Sequence, residues 1–157
     1  MNGETSHATD VEVVRRGRVS WLTHPPAGVA RIEADSFAFH ATPVSLPDGD
    51  PLPNEATPGE LLAITHAVFL ATAVAESLAL EGSPANEIVV TGACTFAGPV
   101  EDRRVTAVDL HVLGRVPGLG LAGFRETVTA ARPASLRAAG FRDDVPGELE
   151  VEIAPSS

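Results

Sequence analysis

Lysine and tyrosine are missing altogether from this 157-residue chain, and cysteine occurs once, as Cys94. Without lysine there can be no lysine Schiff base, and without tyrosine no phenolic acid. A single cysteine rules out an internal disulfide and any dithiol cycle within one chain. Positive charge is also short. Eleven arginines stand against 21 acidic residues, a formal net charge of −10. Nucleic acids and anionic membranes are held through clustered positive charge, so neither is expected as a partner, and the triplet Arg15, Arg16, Arg18 is too small to reverse that balance. The longest uncharged run, Leu61 to Ala75, is too short to span a bilayer, and the start from Met1 to Thr9 is polar, without the apolar core of a signal peptide. These features predict a cytoplasmic protein. The length predicts a single domain over 1–157, with flexible ends at 1–9 and 154–157. Whatever chemistry the chain performs must use His, Asp, Glu, Arg, Ser, Thr or one thiol.

What is present is organised around Pro58 to Leu80, which reads as a helix. Thr57 is placed to cap its free amides, Pro58 suits the first helical position, Glu60 favours the positive end, and Gly82 stops it. Its apolar residues run almost all the way round. A monomer of this size would leave one side wet, so a partner chain is expected. Thr65, Phe69, Thr72 and Glu76 fall at i, i+4, i+7 and i+11, one stripe and a candidate pocket wall. Alternatively the threonines bond to carbonyls one turn back and Glu76 emerges at a rim. His66 lies beside the stripe, where a lone histidine on an apolar helix is commonly a hydrogen-bonded core residue.

Ahead of the helix, Val11 to Leu22 and Val29 to Ala34 read as a hairpin broken by Pro25-Pro26, and Ser36 to Val44 as a further short strand. Leu46 to Thr57 is a loop feeding the helix. Behind it, Asn86 to Phe96 and Arg104 to Val116 alternate as strands. Cys94 falls on the apolar face of the first, which predicts a buried and inert thiol. Asp109 and His111 face the other way on the second, and two ligands without a third make no metal site. Gly118-Leu-Gly-Leu-Ala-Gly123 has dinucleotide-fingerprint spacing, but the strand before it is amphipathic and too little chain follows for a doubly wound sheet. Leu121 to Ala131 reads as a second helix interrupted at Arg132-Pro133, with Ser135 to Ala139 continuing it for a turn, and Glu148 to Ile153 as a closing strand. The order of elements predicts an α+β domain.

That order, together with Gly17-Arg-Val-Ser-Trp21, Thr57-Pro-Gly-Glu-Leu-Leu followed by His66-Ala, Val116-Pro-Gly118 and Arg132-Pro-Ala-Ser135, resembles the osmotically inducible protein C and organic hydroperoxide resistance family (OsmC/Ohr). The resemblance implies an intertwined homodimer, with long central helices wrapped by curved antiparallel sheets and sites at the subunit interface. It also shows what has changed. The family's thiol peroxidases carry a reactive cysteine three residues after the helix histidine, where this chain has Phe69. Their second cysteine precedes a proline, where this chain has Arg132. Their glutamate follows the proline at the helix start, where this chain has Gly59 and moves its acid to Glu60. Their site arginine comes from ahead of the helix, and this chain has no arginine between Arg31 and Arg103.

Without that thiolate, peroxide reduction is not expected. The expected function is instead a repurposed enzyme needing neither cofactor nor metal, acting on a hydrophobic small molecule by cyclisation, isomerisation or elimination, as in secondary-metabolite biosynthesis. In it Arg132 polarises an oxygen, Glu76 or His66 moves a proton, and Thr65, Phe69, Thr72 and Ser135 shape the substrate site. The alternative is a non-catalytic binding protein with Arg132 as anchor. A third reading pairs Arg132 with Glu60 or Glu76 as a structural ion pair at the dimer interface.

Overall fold

The computed structural model describes residues 14–21, 30–36, 38–44 and 54–155. The chain divides into two compact units, Met1–Glu55 and Ala56–Ser157. Both expected N-terminal features, the polar start at 1–9 and the Pro25-Pro26 turn, lie outside the described residues, as does most of the loop ahead of Thr57.

In the first unit, β1 (Gly17–Trp21), β2 (Ala30–Ala34) and β3 (Thr42–Val44) form an antiparallel sheet in sequential order. The hairpin register sets Gly17 opposite Ala34 and Arg18 opposite Glu33, and the guanidinium of Arg18 donates to the Glu33 carboxylate at 2.6 Å and 3.0 Å. The third strand is shorter than expected. Residues 38–41 bend, and Ala41 takes a left-handed φ of 49°, so pairing begins only at Thr42.

The second unit holds α1 (Pro58–Leu80), β4 (Glu87–Ala97), a 3-10 turn (Val100–Asp102), β5 (Arg104–Arg115), α2 (Leu121–Ala138) and β6 (Leu149–Ile153). Both ends of α1 follow from local sequence. Thr57 Oγ1 accepts from the amide of Glu60 at 3.2 Å, and the Glu60 carboxylate accepts from the amide of Thr57 at 2.7 Å, a reciprocal capping box. At the other end Gly82, at φ 78°, lets the amides of Gly82 and Ser83 return to the carbonyls of Ala79 and Leu78. By length and composition α1 could cross a membrane. One of its stripes, however, is committed to the interior: Ala63, His66, Leu70, Val74 and Leu78 are buried as the helix packs on β4 and α2.

Strands β4 and β5 pair antiparallel with a bulge at Thr95/Phe96, while β6 joins β5 in parallel, giving the order β4-β5-β6. A three-stranded mixed sheet is not the doubly wound sheet that the glycine fingerprint at 118–123 would require. Val108, Leu110 and Val112 alternate inward from β5 and meet Leu70, Val74 and Leu78 of α1, Phe124, Val128 and Leu136 of α2, and Val151 of β6 in one core. Gly114 seats the ring of Phe124 so closely that an added Cβ would lie 2.3 Å from it.

One expectation is overturned. Arg132-Pro133 does not interrupt α2, which runs without a break from Leu121 to Ala138. Proline removes the donor that would bond to the carbonyl of Thr129, but Thr129 and Pro133 are both exposed, so water can serve the freed carbonyl. Ser135 adds a bond within the same turn by donating to the carbonyl of Arg132 at 2.8 Å.

Candidate functional site

The seven residues singled out in the sequence fall into two groups on opposite sides of α1. His66, Arg132 and Ser135 come together on the inner side, where α1 meets α2. Thr65, Phe69, Thr72 and Glu76 share the expected stripe, and all four are exposed on the outer side. Successive helical residues are turned about 100° from one another. Once His66 joins the buried stripe, its neighbour Thr65 is carried out of it. The structure therefore does not assemble the seven into one pocket.

On the inner side, the His66 ring is completely buried, with Nε2 3.2 Å from Ser135 Oγ. The single hydroxyl proton of Ser135 is used on the carbonyl of Arg132, so its oxygen accepts from the ring, and Nε2 carries the imidazole proton. Nδ1 is then a bare acceptor, buried with no hydrogen-bond partner among the described residues. Phe141 stands edge-on to the ring with centroids 5.7 Å apart, placed there by the glycine-terminated end of α2, where the Phe141 amide returns to the Leu136 carbonyl at 2.9 Å. Burial first, and the positive charge of Arg132 second, push the His66 pKa down, so the ring is neutral at pH 7. This is a hydrogen-bonded core histidine, with no exposed atom through which to trade protons with a substrate.

Arg132 is similarly occupied. Its Nη2 donates to the carbonyls of Val108 at 3.2 Å and Gly147 at 3.0 Å, strapping the middle of β5 to the turn that leads into β6. That turn needs glycine: at φ 156°, a Cβ on Gly147 would sit 1.9 Å from the Val108 carbonyl oxygen. Nε of Arg132 is buried with no hydrogen-bond partner among the described residues. Within one chain, and among the described residues, Arg132 pairs with neither Glu60, which caps α1, nor Glu76.

The outer side of α1 is open and apolar. Phe69 is 41% exposed, flanked by Ile64 at 57% and Val68 at 58%. Thr65 turns its hydroxyl to the Leu61 carbonyl at 2.7 Å, the one-turn-back bond weighed for it from sequence. Glu76 is the only ionisable residue of α1 on this stripe, since Glu60 is spent in the cap and His66 faces inward. Cys94 stands on β4, half-buried, its thiol pushed up by burial and thus poor as a thiolate. Three metal-ligating side chains do converge, but elsewhere, at His111, Glu150 and Glu152 on β5 and β6.

Phe141 and Gly147 were not singled out in the sequence. Phe141 had a usable signal, an apolar residue directly after the helix-terminating Gly140. Gly147, whose role depends on the carbonyl of a distant strand, had none.

No family model and no curated protein sequence matches the chain. Solved structures do match. The organic hydroperoxide resistance protein OhrB of Bacillus subtilis superposes with a TM-score of 0.62 at 17% identity, over 88% of this chain and 98% of that one. An organic hydroperoxide resistance protein from Elizabethkingia anophelis gives 0.67 at 15% identity, over 94% and 99%. An OsmC-like protein of unknown function from Vibrio cholerae gives 0.65 at 14% identity, over 91% and 100%. At these identities the likeness is one of architecture, and the chain has the OsmC/Ohr-like α+β fold.

Proposed function

We propose that this chain acts as an OsmC-like homodimer that holds a hydrophobic small molecule against the outer face of α1, without thiol peroxidase chemistry. The observation that carries this reading is the exposed row Ile64, Val68 and Phe69 on a helix whose other side is buried. Such an apolar strip on a soluble fold calls for cover, by a second copy and by a ligand held between the copies. Phe69 occupies the position of the reactive thiol in the resembling peroxidases, so the wall that would present a nucleophile presents a ring. In this reading Thr72 and Glu76 supply polar contacts at the end of the stripe. Arg132, Ser135 and His66 support the wall from behind rather than touching the ligand. No cofactor or metal is required on this face.

A catalytic version of the same reading rests on Glu76, the one ionisable group on the outer stripe, as the base in a cyclisation, isomerisation or elimination. Native mass spectrometry of protein purified gently from its own host tests the proposal. The expected spectrum is a dimer carrying an apolar metabolite, and the metabolite should be lost in Phe69→Ala. A monomer, or a dimer that is empty at every isolation, would overturn it. With the metabolite in hand, Glu76→Gln separates the versions: turnover abolished with binding retained selects the enzyme, and no product from either protein selects the binder.

A further inference from the structure

Strand β6 lies at one edge of its sheet, held by β5 alone. The parallel register sets His111 against Glu150 and Leu113 against Glu152. Val112 and Val151, paired between them, are both buried. Side chains alternate along a strand, so His111, Glu150 and Glu152 all stand on the opposite, outward face. Their ligand atoms come within 4.8 Å of one another, and His111 Nε2 is 3.4 Å from a carboxylate oxygen of Glu152. The side chains of His111 and Glu152 are 38% and 57% exposed, open enough for an ion to enter without unfolding.

The charge around this triad is one-sided. Two carboxylates share a small patch, and Asp109, two residues before His111 on the same face, adds a third nearby, its Oδ1 accepting from the Glu148 amide at 2.8 Å. Among the described residues no arginine pairs with these glutamates. Arg115 goes to Glu87 at 3.8 Å, and Arg125 of α2 borders the same surface groove as Glu150 and Glu152 without an ion pair to either. Like charges this close destabilise the strand pair unless a cation is shared between them. Imidazole nitrogen combined with carboxylate oxygen suits zinc and its divalent transition-metal neighbours rather than calcium or magnesium, which prefer all-oxygen shells.

We propose that His111, Glu150 and Glu152 bind one divalent transition-metal cation of the zinc class, which staples the edge strand β6 to β5. Three protein ligands leave a coordination position open to water or to a donor from outside the chain. The ligands sit on regular strands, so the register places them before the ion arrives and only side-chain rotation remains. The proposal is independent of the ligand reading of α1, because it involves none of the same residues.

The test is isothermal titration of untagged, chelator-treated full-length protein with zinc chloride, alongside His111→Gln and Glu152→Gln. Both positions are outside the core, and far-ultraviolet circular dichroism verifies that the variants fold. The expected result is saturable uptake of a single equivalent per chain, weakened at least tenfold in each variant; partners one shell further out are already worth about 10–100-fold at metal sites. Absence of saturable binding at millimolar zinc overturns the proposal. So does binding by either variant as tight as that of the unaltered protein, which would place the metal on the other histidines or on Cys94.

Discussion

Burial of a neutral His66 makes the stability of this fold depend on pH with a definite sign. In the unfolded chain the ring titrates near the ordinary histidine value of about 6.5. In the folded chain that value is pushed down, first because burial strips the imidazolium of water and second because its charge would stand beside that of Arg132. Above pH 6.5 or so both states are neutral at this position and the contribution to stability is complete. As pH falls below it, the unfolded state takes up a proton that the folded state refuses, and stability is lost until the folded pKa is reached. One proton of difference is worth about 1.4 kcal/mol per pH unit. For a chain of this size each kcal/mol moves the midpoint by roughly 2–4 °C, so this group alone should lower Tm by at most about 3–6 °C per unit in the acid window. The assay is thermal unfolding at fixed protein concentration from pH 7.5 to 5, with His66→Gln measured in parallel. His66→Gln begins less stable, and the quantity that matters is its slope, which should be flatter by up to one proton's worth. Equal slopes in the two proteins would refute both the tautomer assignment and the claim that the ring stays neutral.

Three other outcomes follow from the same structure. Val68→Glu, placed on the outer strip of α1, should abolish the proposed dimer in light scattering without loss of helix signal; a dimer as strong as that of the unaltered protein would move the proposed interface away from this face. Gly114→Ala pushes a methyl group into the Phe124 ring and should cost about 1–3 kcal/mol in urea unfolding, part of it recovered by adding Phe124→Leu. Purified protein should not turn over an organic hydroperoxide with a dithiol reductant, and Cys94→Ser should match the unaltered protein in that assay, because the thiol is half-buried and its pKa raised.

How far the sequence could be read depended on whether a signal was local. Thr57, Glu60 and Gly82 lie within a turn of the groups they satisfy, and the structure forms both ends of α1 as their types demand. The alternation along β4 and β5 marks the sheet's inner face in the same way, and Cys94 stands on that face, though half-buried where the pattern predicts a buried thiol. Which side of α1 would face inward was not legible. The helix is apolar nearly all round, so His66 and Thr65 offer no contrast that marks one as inner and the other as outer. The break assigned to Pro133 failed because the rule concerns one lost hydrogen bond, and the cost of that loss depends on whether water reaches the orphaned carbonyl. Nor could the carbonyls that occupy Arg132 be foreseen, since Val108 and Gly147 lie 24 and 15 residues away along the chain.

The parallel setting of β6 against β5 has a consequence for the order in which the unit assembles. Strands β4 and β5 are joined by a short turn and can zip together from it, whereas β6 reaches its place only after α2 has crossed the sheet and turned back. The last ladder therefore forms on a helix that is already docked, with Arg132 waiting to grip the carbonyl of Gly147 as the chain comes round. Before β6 is in place the β4–β5 hairpin and α1 can form, but Val151 is not yet there to close the core over Phe124 and Val128. Until β6 docks, the edge of β5 that it will cover is open to any other extended segment, and that interval is when this unit is most exposed to mispairing.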